Sequence, residues 1–477
     1  MTVRPKQVVA LASAVAVAAL IAGIVWFASG SPPTGRRGGG LPNIVLITLD
    51  TTRADHMSCY GYLRKTTPRI DELAGESLLY TRCLSTSSWT LPTHASLLTG
   101  RFPTSHGAMY DANGPVELTG ALPGEWSAYR VTPLSDRVES LPTLLKRLGY
   151  VTGAVVGGPW LKKPFGLNQG FDYYDDDDIV DVNGRPAEQI NRRALPWIDR
   201  VADRPFLLFL NYFDPHDPYQ PPKDFRFRFL DPSKIVGGAK ATPYELMAFY
   251  DAEIYYADHF VGRLVDHLKK RGLYDETWII LTADHGELFG EHGLRGHGLT
   301  LYEEELHVPL IMKYPKRWAR HGRSSDPIQL TDLLPIILDR LGLPFPPDIQ
   351  GAVPGRRTYP VFAEVNPLPA ISDRGDFRAL YHGNVKYVWN SRGRHMLFDL
   401  SADPREERNL YAAELDKAMT MRTAMDELLA SLPRPGGVGS PTRLDRSTLD
   451  VLRGLGYIPG ERTPSAPAST TRSARPE

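Results

Sequence analysis

The sequence predicts an α/β protein, a mainly parallel mixed β-sheet sandwiched by helices, with a small antiparallel subdomain towards the C-terminus. Three observations lead there. The apolar runs Asn43–Leu49, Pro205–Asn211 and Trp278–Ala283 have strand length and little polar alternation, the pattern of strands buried on both faces. Helical stretches lie between them, such as Thr143–Leu148 and the longer Tyr244–Arg271. Beyond Pro344 the composition shifts to Pro and Gly and then resumes in Phe377–Tyr381, Val385–Trp389 and His395–Phe398, which read as short antiparallel strands.

The ends and the bulk composition set the organisation. Arg4 and Lys6 precede an uncharged run, Val8 to Ala28. At about 1.5 Å per residue such a run spans the roughly 30 Å hydrocarbon core. Residues 1–28 therefore read as a transmembrane anchor, with a cleaved signal segment and secretion as the alternative, and the charge before the run places the bulk of the chain outside the cytoplasm. Residues 29–41 read as a Gly/Ser/Pro-rich linker, 42–343 as the main α/β domain, 344–432 as a C-terminal subdomain and 433–477 as an extension largely disordered from 461. A formal net charge of zero gives no electrostatic case for nucleic acid as a partner. Cys59 and Cys83 do not have zinc-site spacing; they read as buried thiols, with a disulfide as the alternative.

Polar residues follow the apolar runs. Asp50 ends the first, Asp284 and His285 end another, and Asp214, His216 and Asp217 follow the third. Ligands of open α/β sheets bind outside the carboxyl ends of the strands, so these residues are candidates for one site. A lone Asp after a strand is commonly a turn or helix cap; three such strands together point to function. In Ser88–Arg101, Pro92 suits a first helical turn and Gly100 a C-terminal cap, which puts Thr90 at the helix N-terminus. There a hydroxyl meets unpaired N–H groups and the positive dipole end, which favour an anionic substrate.

The run Thr90-Leu-Pro92-Thr-His94-Ala-Ser-Leu-Leu-Thr-Gly-Arg101 resembles the signature of the sulfatase family, part of the alkaline phosphatase superfamily. Asn43–Asp50 is similar to that family's opening metal-binding strand, and Asp50-Thr-Thr-Arg53-Ala-Asp55 to the form found in phosphonate monoester hydrolases. Phe213–Tyr219, Thr282–Gly293, Gly296-His297-Gly298, Tyr302-Glu303 and Val308-Pro309-Leu310 follow in the family's order, as do Leu397–Leu400 and Glu407–Leu410. The resemblance implies the family's fold, metal ligands at Asp50, Thr90, Asp284 and His285, catalytic roles for Thr90, His216 and His297, and substrate contacts from His94 and Arg53. His106 and Arg101 are further candidates, and His292 orders its loop. Calcium sites in the family have more carboxylates; one imidazole in the set favours manganese or zinc, with calcium possible.

Two departures define the expected chemistry. Sulfatases convert a signature Cys or Ser to formylglycine, whereas oxidation of Thr90 would give a ketone, so no formylglycine is expected. His94 stands where the signature carries Arg, and Gly158–Lys163 lacks the Lys and His of the corresponding segment. The sequence thus implies a metal-dependent hydrolase of phosphate or sulfate esters, acting through Thr90 and a phospho-threonine intermediate. The alternatives are a silent binder of anionic glycans and an envelope phosphotransferase. The substrate would be an anionic ester carried on a glycan or lipid.

Overall fold

The computed structural model describes residues 40–118, 130–231, 241–369, 372–435 and 442–458. The Val8–Ala28 run and the tail from 461 lie outside them. Among the described residues no helix is long and apolar enough to cross a membrane.

Asn43–Leu49 is the central strand of a nine-stranded sheet. It pairs in parallel with Phe206–Tyr212 on one side and Thr277–Thr282 on the other, and Val151–Val155 and Tyr173–Asp175 extend the first side, also in parallel. On the other side His307–Lys313 runs antiparallel to both Thr277–Thr282 and Leu78–Leu84, which makes the sheet mixed. Every residue of the central strand is buried, as its unbroken apolar run requires. The pleat divides it: Ile44 and Leu46 pack with Leu91, Leu141 and Leu334 on one face, while Val45, Ile47 and Leu49 pack with Ile190, Val261 and Leu264 on the other. Helices Thr90–Thr99, Leu141–Arg147 and Leu333–Arg340 cover the first face; Pro68–Gly75, Ala187–Val201 and Pro243–Lys270 cover the second. The layers are those read from the sequence.

The antiparallel sheet beyond residue 344 is present, with Val361–Val365 as a strand additional to Phe377–His382, Val385–Asn390 and Met396–Asp399. Helix Leu415–Ser431 packs on it through Ala418, Met421, Met425 and Leu428. Both cysteines are free thiols, so the disulfide alternative is not formed.

Residues 442–458 of the extension are folded onto the domain. Thr442–Arg443 pairs in parallel with Val116–Glu117, and helix Arg446–Gly454 follows, its Leu452 joining the main core with Tyr457 and Ile458 beyond it. Asp445 caps this helix, its carboxylate accepting from the Thr448 N–H at 2.9 Å and from the Thr448 hydroxyl at 2.7 Å. Asp445→Ala is expected to cost about 1 kcal/mol, the usual weight of such a cap, seen as a lower urea midpoint with an unchanged slope.

Candidate active site

The three parallel neighbours end together, and their carboxyl ends carry the site. Thr48 lies opposite both Asn211 and Thr282 in register, so the residues that follow or end these strands are neighbours in space. Asp50 continues the ladder by one residue, its N–H donating to the Tyr212 carbonyl at 2.8 Å. Asp284 and His285 follow Thr282, and His216 follows Tyr212 by four residues. Asp50, Asp284 and His285 can each offer one ligand atom within 4.8 Å of the others, a constellation of three fully buried groups.

These atoms have the valences that a cation requires. Asn211 Nδ2 donates to Asp50 Oδ2 at 3.1 Å, but Asp50 Oδ1 is buried without a hydrogen-bond partner. The N–H groups of Thr51 and His285 donate to Asp284 Oδ1 at 3.1 and 2.9 Å, and Asp284 Oδ2 is again without one. His285 Nδ1 faces the Gly286 carbonyl at 3.0 Å, which holds the ring proton there and leaves the Nε2 lone pair facing inward. Nε2 lies 3.3 Å from Asp284 Oδ2 and 3.2 Å from the Thr90 hydroxyl. Burial, and next the Asp284 carboxylate, drive the Asp50 pKa well up, while burial takes His285 down to about 4. Two buried carboxylates and a neutral imidazole fit a divalent cation, because the carboxylates are otherwise uncompensated.

Thr90 opens helix Thr90–Thr99, with Trp89 in extended geometry before it and Gly100 in the left-handed conformation after it, as the sequence placed them. All ten helical residues are buried, so the helix is fixed against the sheet. A β-branched side chain has one or two permitted χ1 rotamers in a helix, which keeps the Thr90 hydroxyl aimed at His285.

His216 and His297 complete the cluster. The His297 ring lies 4.6 Å from that of His285 and 4.8 Å from that of His216, which is stacked on Phe213. Burial alone would lower the pKa of His297, but the Glu287 carboxylate at 3.1 Å from Nδ1 overrides it and holds the pKa above its usual value. Burial, with His297 next, takes His216 well down. One ring is thus disposed to be protonated beside a neutral one, a pairing suited to acid and base roles.

The two residues read as substrate contacts are committed elsewhere. His94 is fully buried; its Nδ1–H donates to the Thr90 carbonyl at 2.9 Å and its Nε2 faces the Thr48 hydroxyl at 3.1 Å. It therefore supports the first turn of the Thr90 helix from behind. Arg53 donates to both Asp55 oxygens, to Glu291 and to the Glu287 carbonyl, and so pins the loop after His285. Both nitrogens of His94 thus face groups of the chain, and the Arg53 guanidinium is held by Asp55, Glu291 and the Glu287 carbonyl. Arg101 pairs with Asp348, His106 faces Ser96 and the Pro92 carbonyl, and His292 stacks on Tyr302; all three are structural contacts. Thr51 lends its N–H to Asp284 while its hydroxyl goes to the Pro215 carbonyl, at a backbone φ of 53° that is unusual for a β-branched residue.

Four contributors were not singled out from the sequence: Thr48, Asn211, Glu287 and Tyr457. Asn211 and Thr48 link the strands beneath the carboxylates, Asn211 Nδ2 donating to the Thr48 hydroxyl at 3.2 Å. A polar residue at the end of an otherwise apolar strand was the available signal for Asn211. Tyr457 reaches both His216 and His297 from the far end of the chain.

The sulfatase family model matches residues 42–343. The chain is 26% identical over 413 residues to an ulvan-active sulfatase of Formosa agariphila, covering 77% of each protein. It is 24% identical over 488 residues to an N-acetylglucosamine-6-O-sulfatase of Bacteroides thetaiotaomicron, covering 78% of this chain and 82% of that one. Its fold is similar to that of the phosphonate monoester hydrolase of Agrobacterium radiobacter, with a TM-score of 0.63 at 21% identity over 82% of this chain and 95% of the other. The family model spans well over half of the 477 residues, and the chain belongs to the sulfatase family of ester hydrolases.

Proposed function

We propose that this chain cleaves phosphorus esters by attack of the Thr90 hydroxyl on phosphorus, beside a divalent cation held by Asp50, Asp284 and His285. The observation that carries this reading is the position of Thr90: its hydroxyl starts a buried helix and lies 3.2 Å from the inward-facing His285 nitrogen. A threonine there is a competent alkoxide donor and cannot become the aldehyde on which formylglycine chemistry depends. One imidazole and two carboxylates, with Thr90 as a further oxygen ligand, favour manganese or zinc over calcium. When bound, the cation lowers the pKa of the hydroxyl and neutralises charge on the transferring group.

The chain's own groups do the rest. Thr90 loses its hydroxyl proton to solvent, its Oγ1 forms the new bond to phosphorus, and the bond to the leaving oxygen breaks in line with it. His297, its Nδ1–H held by Glu287, gives the proton on its Nε2 to that oxygen. The helix N-terminus stabilises the equatorial oxygens. Water, with its proton taken by a histidine of the pair, then releases the product from Thr90; an alcohol in its place would make the reaction a transfer.

Charge narrows the substrate. Arg53, Lys162 and Lys163 face carboxylates of the chain, and among the described residues of the site His297, its pKa raised by Glu287 against its burial, is the side chain disposed to carry positive charge. A singly charged diester or phosphonate monoester suits this better than a dianion. The relatives, an ulvan-active sulfatase and an N-acetylglucosamine-6-O-sulfatase, support an anionic ester on a glycan. A panel of aryl sulfate, phosphate mono- and diester and phosphonate monoester, each with manganese, zinc or calcium, tests the reading. Turnover of the diester or phosphonate above the sulfate is expected with manganese or zinc; a profile confined to sulfate would overturn it.

A further inference from the structure

The end of the described chain enters the site. Helix Arg446–Gly454 closes with the Leu455 N–H donating to the Val451 carbonyl and the Tyr457 N–H returning to that of Leu452, with Gly456 between them at a φ of +79°. This left-handed turn needs glycine and redirects the chain inward. Tyr457 is 3% exposed, and its ring lies edge-on to Trp160 at 5.2 Å, within the same core cluster as Leu452 and Ile458. The segment is thus built into the domain. Its hydroxyl lies 3.0 Å from His216 Nε2 and 2.7 Å from His297 Nε2.

The geometry points to Tyr457 as a positioning residue for the reaction, fixing the orientation of His216 and His297 through one hydroxyl. This rests on the reading of those two histidines as the groups that meet the ester. His216 Nδ1 faces the Asp217 carbonyl, so its proton is on Nδ1 and its Nε2 is a lone pair. The Tyr457 hydroxyl has a single proton, which it donates to that nitrogen. Its oxygen then accepts from His297 Nε2, while His297 Nδ1 is held by Glu287. In the resting site each ring is consequently fixed at both nitrogens, one by its own loop and the other by Tyr457, and the His297 Nε2 proton passes from this contact to the leaving oxygen when the ester reacts. Neither ring can flip or turn without breaking a buried hydrogen bond, and a reacting imidazole that turns loses its alignment.

Tyr457→Phe keeps the ring and its packing on Trp160 and removes only the hydroxyl. On the ester the panel selects, kcat is expected to fall by about ten- to a hundred-fold, the usual weight of an orienting contact, with KM changed by less than about three-fold. The thermal midpoint stays close to that of the unaltered protein. An unchanged or raised kcat would overturn the proposal, the second by making Tyr457 an obstruction; so would a rise in KM alone, the sign of a substrate contact. A second readout needs no turnover. Long-range nitrogen–proton correlation on histidine-labelled protein is expected to find His216 as the Nδ1–H tautomer, kept by the Asp217 carbonyl, with its Nε2 resonance displaced and both ring signals broadened in Tyr457→Phe. An Nε2–H tautomer in the unaltered chain, or ring signals of His216 and His297 unchanged in the variant, would overturn the role of Tyr457. If no ester is turned over, the chemistry proposed for Thr90 fails and this measurement still decides the role of Tyr457.

Discussion

Thr90→Ala is expected to lower turnover of an aryl phosphodiester by at least about 10³-fold, with folding retained and metal affinity reduced by only a few-fold. The size of the effect follows from the role: without the hydroxyl no covalent intermediate can form, and what remains is positioning and electrostatics around water. Folding is retained because the hydroxyl's recorded contact is with His285 at 3.2 Å, while the backbone of the helix is held by its buried neighbours. Alanine is also a good helix former at this position. Thr90→Ser should keep the reaction at a lower rate, since the methyl that limits χ1 is gone and the hydroxyl samples more rotamers. Steady-state kinetics on the two variants, with metal content measured on the same samples, checks both statements. An alanine variant with unchanged turnover would remove Thr90 from the mechanism.

The second large effect has opposite signs with and without metal. Asp50→Asn is expected to weaken metal binding by about 10²–10³-fold, the cost of removing one charged partner from a buried ionic cluster. In metal-free protein the same change should stabilise the fold by about 1–3 kcal/mol, because a buried acceptor with no partner, Oδ1, loses its charge. Burial and then Asp284 raise the Asp50 pKa, so the folded metal-free chain binds this proton more tightly than the unfolded chain. The associated stability is present at low pH and is lost as pH rises through the raised value. Metal-free protein should therefore melt lower at neutral than at mildly acidic pH, and Asp50→Asn should flatten that dependence. Thermal melts across pH, with chelator and with added manganese, read all three expectations.

The parts of this site visible in the sequence are those written locally. Asp50 and Asp284 stand out because an apolar run long enough for a strand stops at a charge, and parallel neighbours must end at the same edge. Thr90 stands out because Pro92 and Gly100 bracket its helix. Arg53 and His94 show the limit. Their types suit an anion, but Arg53 finds Asp55 two residues on and Glu291 far along the chain, and His94 folds back on the Thr90 carbonyl four residues before it. Which partner a polar side chain takes is decided by packing, and spacing alone does not contain it. Tyr457 is the extreme case: it meets His297 across 160 positions, from a segment whose neighbours are rich in Pro, Ser and Arg. The short helix before it buries Thr448, Val451 and Leu452, too few positions to distinguish a docked helix from a polar tail.

The claim on which everything else depends is that Thr90 becomes covalently attached to phosphorus. Rapid acid quench during turnover of an aryl phosphodiester, followed by trypsin digestion and mass spectrometry of the peptide Cys83–Arg101, tests it directly. The predicted result is a phosphoester adduct on Thr90 that appears within one turnover and is absent from Thr90→Ala. Full turnover with that peptide unmodified throughout would contradict it.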